Sequence, residues 1–287
     1  MLAPKINEMR DYLHALACYH FFITPMNLPI PKAYRIHAEK ACEYLLRERS
    51  EIIQIKTPRH HVIHHFTKPG VVNAKKVLVT HGWMSRSAYM SCVIESLRQQ
   101  GFEVYALDFP AHGESTGVQL PWVDAVDILR QTINQLGPFY GVMGHSFGGS
   151  MLLHTLNLSQ QCSDYGLDYH PERVIFMASP IRMRTPVGRV ARLLKLNGNS
   201  YRHLRQVFRD QSDIDLDCLD FRQYTAKPQT KVLCVHGQKD GTIPPKESII
   251  FCQHHPFASL ALIPEVDHIN ILMDRQVLKT IGEFLKP

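Results

Sequence analysis

Between Lys75 and His268, short apolar runs alternate with stretches of helical periodicity, and this alternation restricts the fold more than any other feature of the chain. KKVLVTHGW, EVYALDFPAHGES, YGVMGHS, RVIFMASP, KVLCVHGQKD and LALIPEVDH each pass from a run suited to a buried strand into loop-forming residues. Between them, SAYMSCVIESLRQQG and LPWVDAVDILRQTINQLG read as helices closed by Gly101 and Gly137. Strands and helices in turn imply βαβ units and a parallel sheet covered on both faces. Upstream, SEIIQIKTPRHHVIHHF supplies two further strand-like runs, expected as a hairpin at the sheet's edge. The expected architecture is α/β: a mostly parallel, twisted sheet of about eight strands with helices on both faces. A length of 287 residues with 45% hydrophobic content suits one large domain carrying an insertion.

Composition narrows the function classes. A formal charge of +6, with no strongly basic tail or aromatic-basic stripe, argues against a nucleic-acid partner. The seven cysteines form no C-x-x-C pair and suit free thiols in a reducing compartment, so a soluble, cytoplasmic protein is expected. YLHALACYHFFI, from Tyr12, contains two histidines, follows Glu8 and Asp11, and is short for a membrane span of about 20 residues. It reads as a helix within a mainly helical N-terminal extension over 1–50. His60, His61, His64 and His65 invite a metal, but His60 and His64 would sit ~13 Å apart along a strand. They read as a polar edge strand around Val62 and Ile63, and no metal is expected there.

The stretch GVMGHSFGGS, Gly141 to Ser150, carries the chemistry. Gly144-His145-Ser146-Phe147-Gly148 satisfies G-x-S-x-G where an apolar strand gives way to the helical pattern GGSMLLHTLNL. A sharp strand-to-helix turn holds such a serine in a strained conformation, with glycines on either side permitting close approach of the chains. A serine needs a base to take its proton and an acid to orient that base. Asp240, in HGQKDGTIPP, and His268, in EVDHINI, follow two later strands, so all three lie at the carboxyl edge of one sheet, where open α/β sheets bind ligands. Taken singly, Asp240 also fits a turn beside Gly241, and His268 a structural polar residue.

Together these residues give a chain that resembles the α/β-hydrolase superfamily over roughly residues 50 to 287. The resemblance implies Ser146 as nucleophile, Asp240 as orienting acid and His268 as base. It also implies that HGW after the VLVT strand forms an oxyanion loop, with the backbone N–H groups of Trp83 and Phe147 as donors. His81, His112 and His145 are cast as structural supports. One departure is visible: Asp267 stands where family members often carry glycine before the histidine, and it offers a competing carboxylate. The other family position for the acid reads MASPIRM and has none.

The resemblance divides the chain into the N-terminal extension, a core of 51–180 and 231–287, and a helical lid over 181–230. The first half of that insertion holds Arg182, Arg184, Arg189, Arg192, Lys195, Arg202, Arg205 and Arg209; the second holds Asp210, Asp213, Asp215, Asp217 and Asp220. Val187, Val190, Ala191 and Leu194 fall on one helical face and the cations on another. Such a helix can roof an acyl pocket and make weak contact with an anionic membrane or lipid, or its arginines can pair with the aspartates downstream. The expected activity is that of a serine hydrolase, carboxylesterase or lipase-like, acting on a small-molecule acyl substrate and requiring no cofactor or metal. A thioesterase, a peptidase or a non-catalytic ligand-binding member of the fold remain alternatives.

Overall fold

The computed structural model describes residues 2–26, 28–55, 60–161, 166–212, 214–220, 224 and 230–286. Eight strands form one sheet: β1 (Glu51–Ile55), β2 (His61–Phe66), β3 (Lys76–Thr80), β4 (Glu103–Asp108), β5 (Gly141–His145), β6 (Arg173–Met177), β7 (Lys231–Gly237) and β8 (Ala258–Ile263). Their spatial order is β1-β2-β4-β3-β5-β6-β7-β8. β2 pairs antiparallel with β1 and with β4, and all other neighbours are parallel. The expected α/β sheet is therefore present, with the N-terminal hairpin at its edge.

The helices are α1 (Leu2–Ile23), α2 (Lys32–Glu48), α3 (Ser91–Gln99), α4 (Trp122–Leu136), α5 (Phe147–Gln161), α6 (Arg184–Leu193), α7 (Gly198–Ser212), α8 (Lys246–His254) and α9 (Arg275–Leu285). Two apolar clusters flank the sheet because side chains alternate across a strand. Leu78 packs with α4 and α5 on one face, while Val77 and Val79 pack with α3 and α9 on the other. The central strands are covered on both faces, which is why their sequences read as continuous apolar runs. In α9, Asp274 caps the first turn by accepting from the N–H groups of Gln276 and Val277, and Val277, Ile281 and Leu285 are buried at four-residue spacing. Each such buried side chain contributes about 2 kcal/mol.

The histidine-rich strand differs from expectation. β2 is not an edge strand: β1 covers its outer side, and all six of its residues are buried. Polar side chains survive there because each finds a polar partner. His61 Nε2 is 3.1 Å from Thr132 Oγ1, His64 Nε2 donates to Asp108 at 3.0 Å, and His65 bridges Glu51 at 2.7 Å and Glu103 at 2.6 Å. His60 is exposed.

Helices α6 and α7 lie between β6 and β7 in the chain and pack with α1. Tyr19 meets Phe208 with ring centroids 5.1 Å apart, and buried Asp11 accepts from Asn197 and Ser200 at 2.9 and 3.1 Å. Val187 and Ala191 are buried and Leu194 is exposed, just beyond the end of α6. Several cations meet the downstream aspartates: Arg184 pairs with Asp217, Arg205 with Asp215 and Asp217, and Arg209 with Asp215. Arg189 and Arg192 instead donate to the backbone carbonyls of Gly241 and Gly188. Asp213 lies outside the described residues. Among those described, no helix is long and apolar enough to cross a membrane.

Candidate active site

Ser146 occupies the turn between β5 and α5 with φ +52°, a left-handed conformation that costs a residue with a Cβ roughly 1–3 kcal/mol. Its N–H donates to Met177 O at 2.8 Å, which ties the turn to the end of β6. The flanking glycines are required by contact. A Cβ on Gly144 would lie 2.4 Å from Gly149 N, and one on Gly148 would lie 2.5 Å from His81 O. Any side chain at either position would push α5 away from the strand ends that surround it.

From this turn a relay of hydrogen bonds runs across three strand ends. The Ser146 hydroxyl donates to His268 Nε2 at 2.9 Å, and His268 Nδ1–H donates to Asp240 Oδ2 at 2.7 Å. The tautomer follows from the partners, since a carboxylate at Nδ1 requires the proton there and leaves Nε2 to accept. Asp240 is buried, and its Oδ1 accepts from the N–H groups of Thr242 and Ile243, both at 2.8 Å. Burial opposes its charge, but hydrogen bonds from His236 and His268 and the backbone outweigh this and hold the carboxyl below the usual carboxylate range. A hydroxyl in this setting can lose its proton to the imidazole while attacking an electrophilic carbon, with the carboxylate stabilising the imidazolium that results.

Asp267 does not compete. Its Oδ1 accepts from Ile269 N and Asn270 N at 2.9 and 2.7 Å, and its Oδ2 from Asn270 Nδ2 at 2.8 Å, so its carboxylate is held by the residues that follow His268. Trp83 lies in the turn after β3, and Phe147 is the first residue of α5, where an N–H has no acceptor within its own helix. Their rings meet edge to face with centroids 5.1 Å apart. The turn is held by Ser85 N–H donating to Gly82 O at 3.2 Å and Met84 N–H donating to His112 Nε2 at 3.1 Å.

His81, His112 and His145 brace these loops. His81 Nε2 accepts from Phe109 N at 3.1 Å while its Nδ1–H donates to Gly82 O at 2.8 Å. His145 Nε2–H donates to the backbone carbonyl of His268 at 2.9 Å, and the two rings lie 4.7 Å apart. Burial pushes the imidazole of His145 down to about 3 and that of His112 to about 4, so both are neutral at pH 7.

Three contributors were not legible in the sequence. His236, in β7, approaches Asp240 Oδ2 at 3.3 Å and is itself held by Ser248 Oγ at 2.7 Å. Asp108, at the end of β4, accepts from Ser87 N at 2.6 Å, Glu114 N at 2.8 Å and His64 Nε2 at 3.0 Å, so it ties the segment after Trp83 to the loop after β4. Phe22 of α1 stacks on Trp83 at 6.5 Å and meets Phe208 of α7 at 5.4 Å. The only signal for the first two was a polar residue beside a loop at a strand's carboxyl end, and for Phe22 there was none.

The fold agrees with that of known proteins. In fold, the chain is similar to the esterase Pf2001 of Pyrococcus furiosus, with 19% identity over 92% of this chain and 98% of that one and a TM-score of 0.60. It is likewise similar to Est1E of Butyrivibrio proteoclasticus, at 17% identity over 82% and 98% with a TM-score of 0.61. A bromoperoxidase from Bacillus anthracis matches at 20% identity over 83% and 100%, with a TM-score of 0.59. No curated protein sequence matches the chain. The sequence model of the alpha/beta hydrolase family matches residues 77–272, from the third strand past the histidine of the relay, and the chain belongs to that family.

Proposed function

We propose that the protein is a serine hydrolase that cleaves an ester of a small to medium acyl group. The observation that supports this reading is the unbroken relay from Ser146 Oγ through His268 to buried Asp240. Esterases among its structural neighbours agree with it. Ser146 Oγ bonds to the carbonyl carbon as its proton passes to His268 Nε2. Trp83 N–H and Phe147 N–H receive the charge on the carbonyl oxygen, each such donor being worth about 3–4 kcal/mol in the transition state. The C–O bond to the alcohol then breaks, and the leaving oxygen takes the proton from His268. Water repeats the sequence on the acyl-enzyme, releasing the acid and restoring Ser146.

In this reading 181–230 is the lid and the helices of 1–50 buttress it. Arg189 of α6 reaches Gly241 O beside Asp240, and Phe22 of α1 sits between Phe208 and Trp83. Exposed Leu193 and Leu194 next to Arg189, Arg192 and Lys195 suit weak contact with an anionic lipid surface. The five described cysteines with free thiols suit a reducing, cytoplasmic setting.

The test is hydrolysis of a chain-length series of p-nitrophenyl esters, with fluorophosphonate labelling, by the native protein and Ser146→Ala. Turnover and labelling that vanish in the variant are expected. No labelling of the folded native protein would defeat the proposal, and labelling without ester turnover would favour a thioesterase or peptidase with the same relay.

A further inference from the structure

A cavity of about 250 Å³ opens beside the Met84–Arg86 segment and is lined in part by His112, whose ring centre lies 5.0 Å from that of Trp83. One wall is the turn with Met84, Ser85 and Arg86; the other is the loop after β4, including Gly113 and Ser115. Pro25 and Met26, just after α1, complete the lining. Both walls depend on left-handed backbone, at Met84 (φ +54°) and Ala111 (φ +62°) as well as at Gly113 and Gly117. Strain of this kind persists only where the surrounding structure enforces it. His112 ties the two walls together, accepting from Met84 N on one and donating to Pro110 O on the other.

Among the described residues, Arg86 is the only charged side chain lining the cavity, since burial holds His112 neutral. Its guanidinium lies 5.5 Å from the ring centre of Tyr89, and among the described residues it forms no ion pair with a carboxylate. The nearby carboxylates have other partners: Asp108 accepts from Ser87 N, Glu114 N and His64, and Glu114 is paired with Arg49 at 2.8 Å. A half-buried guanidinium without a counter-charge is costly, and its fork of donors matches the oxygens of a carboxylate or phosphate. The chain segment that forms one wall of the cavity also reaches the serine. A Cβ on Gly82 would lie 3.2 Å from Ser146 Cβ, and Gly82 to Ser85 closes as a turn whose ends lie within about 7 Å.

We infer that this cavity binds an anionic oxyacid group of the ester substrate, with Arg86 as its counter-charge. The inference rests on the serine-hydrolase reading and deepens it by naming a substrate class: esters bearing a carboxylate or phosphate a few bonds from the scissile carbonyl.

Two substrate pairs separate the sources of the charge. Mono-p-nitrophenyl glutarate against p-nitrophenyl butyrate places it on the acyl side, and 1-butyrylglycerol 3-phosphate against 1-butyrylglycerol places it on the alcohol side. In one pair the native enzyme should favour the charged ester by about tenfold in kcat/KM, mainly through KM, as expected for a charge-assisted hydrogen bond. Arg86→Gln should bring that ratio close to one, and Arg86→Lys should retain part of it. Ser85→Glu, which supplies a tethered counter-charge, should also abolish it and guards against misfolding of the glutamine variant. No preference in either pair, or a preference that survives Arg86→Gln, would overturn the inference. A readout without turnover keeps the two readings distinct: glutarate or inorganic phosphate should raise the melting temperature of Ser146→Ala but not of Ser146→Ala/Arg86→Gln. If no ester is cleaved and Ser146 is not labelled, the hydrolase reading falls. Absence of stabilisation by either anion would remove the Arg86 site whatever the fate of that reading.

Discussion

Acidification from pH 8 to pH 5 should weaken the fold severely, because several buried histidines are held neutral. His112 and His145 are each 5% exposed and His154 is fully buried, and burial lowers their pKa values from 6.5 to about 4, 3 and 3. The sign follows from linkage. Below pH 6.5 the unfolded chain takes up protons on these imidazoles that the native chain does not, so stability present above pH 6.5 is lost as pH falls toward 4. At pH 5 the native rings remain largely uncharged, and the loss is about 2 kcal/mol for each, or about 6 kcal/mol together. His81, lowered by the same cause, adds to the effect with the same sign. Asp108 and Asp240, held below the carboxylate range, contribute only at lower pH. Since a domain is typically stable by roughly 5–15 kcal/mol, the protein should approach unfolding at pH 5. Urea denaturation at pH 8, 7, 6 and 5, extrapolated to water, measures it. The slope below pH 6 should be about 4 kcal/mol per pH unit, falling to about 2.7 in His154→Leu. An unfolding free energy that is flat between pH 8 and pH 5 would refute the reasoning.

Asp240→Asn should leave the fold intact and lower kcat on esters by about 10⁴-fold, because the amide no longer favours the tautomer that accepts from Ser146; near-native turnover would show that Asp240 does not orient His268. Gly148→Ala sets a methyl 2.5 Å from His81 O and should separate the proposed oxyanion donors at Trp83 and Phe147, so kcat should fall by about 10²-fold or more, measured against the melting temperature to exclude unfolding. Glu247 is buried and accepts from Ile181 N at 3.0 Å, Arg182 at 2.9 Å and Thr185 at 2.9 Å, so Glu247→Ala should cost about 3 kcal/mol in urea unfolding and loosen the entry to α6. Binding to anionic vesicles should be weak, abolished by high salt, and reduced by Arg189→Gln/Arg192→Gln; equal binding to neutral vesicles would argue against a charge-driven contact.

Local patterns made the sheet and several site residues legible for a simple reason. An apolar run that is buried on both faces stands out at the residue level, and a serine turn between strand and helix needs glycines at fixed offsets. Gly144 and Gly148 satisfy contacts with atoms of Gly149 and His81 that no side chain could tolerate. The histidines of β2 read as an edge strand because polarity alone suggests exposure. In the structure, burial of His61, His64 and His65 is offset by Thr132, Asp108, Glu51 and Glu103, partners 14 to 71 positions away.

By itself, then, the sequence determined the alternation of strands and helices, the serine turn, and the placement of Asp240 and His268 after two later strands. The resemblance pointed to Asp240 as the acid, and only the tertiary structure shows where the neighbouring Asp267 goes instead. Asp267 is drawn to the backbone of Ile269 and Asn270, its immediate neighbours, while Asp240 crosses 28 positions to reach the imidazole. The same holds for Phe22 on Trp83 and for Arg86 as the only cation among the described residues that line the cavity. Hydrogen bonds and ion pairs depend on distance in space, and a linear pattern records that distance only within one helical turn or one strand.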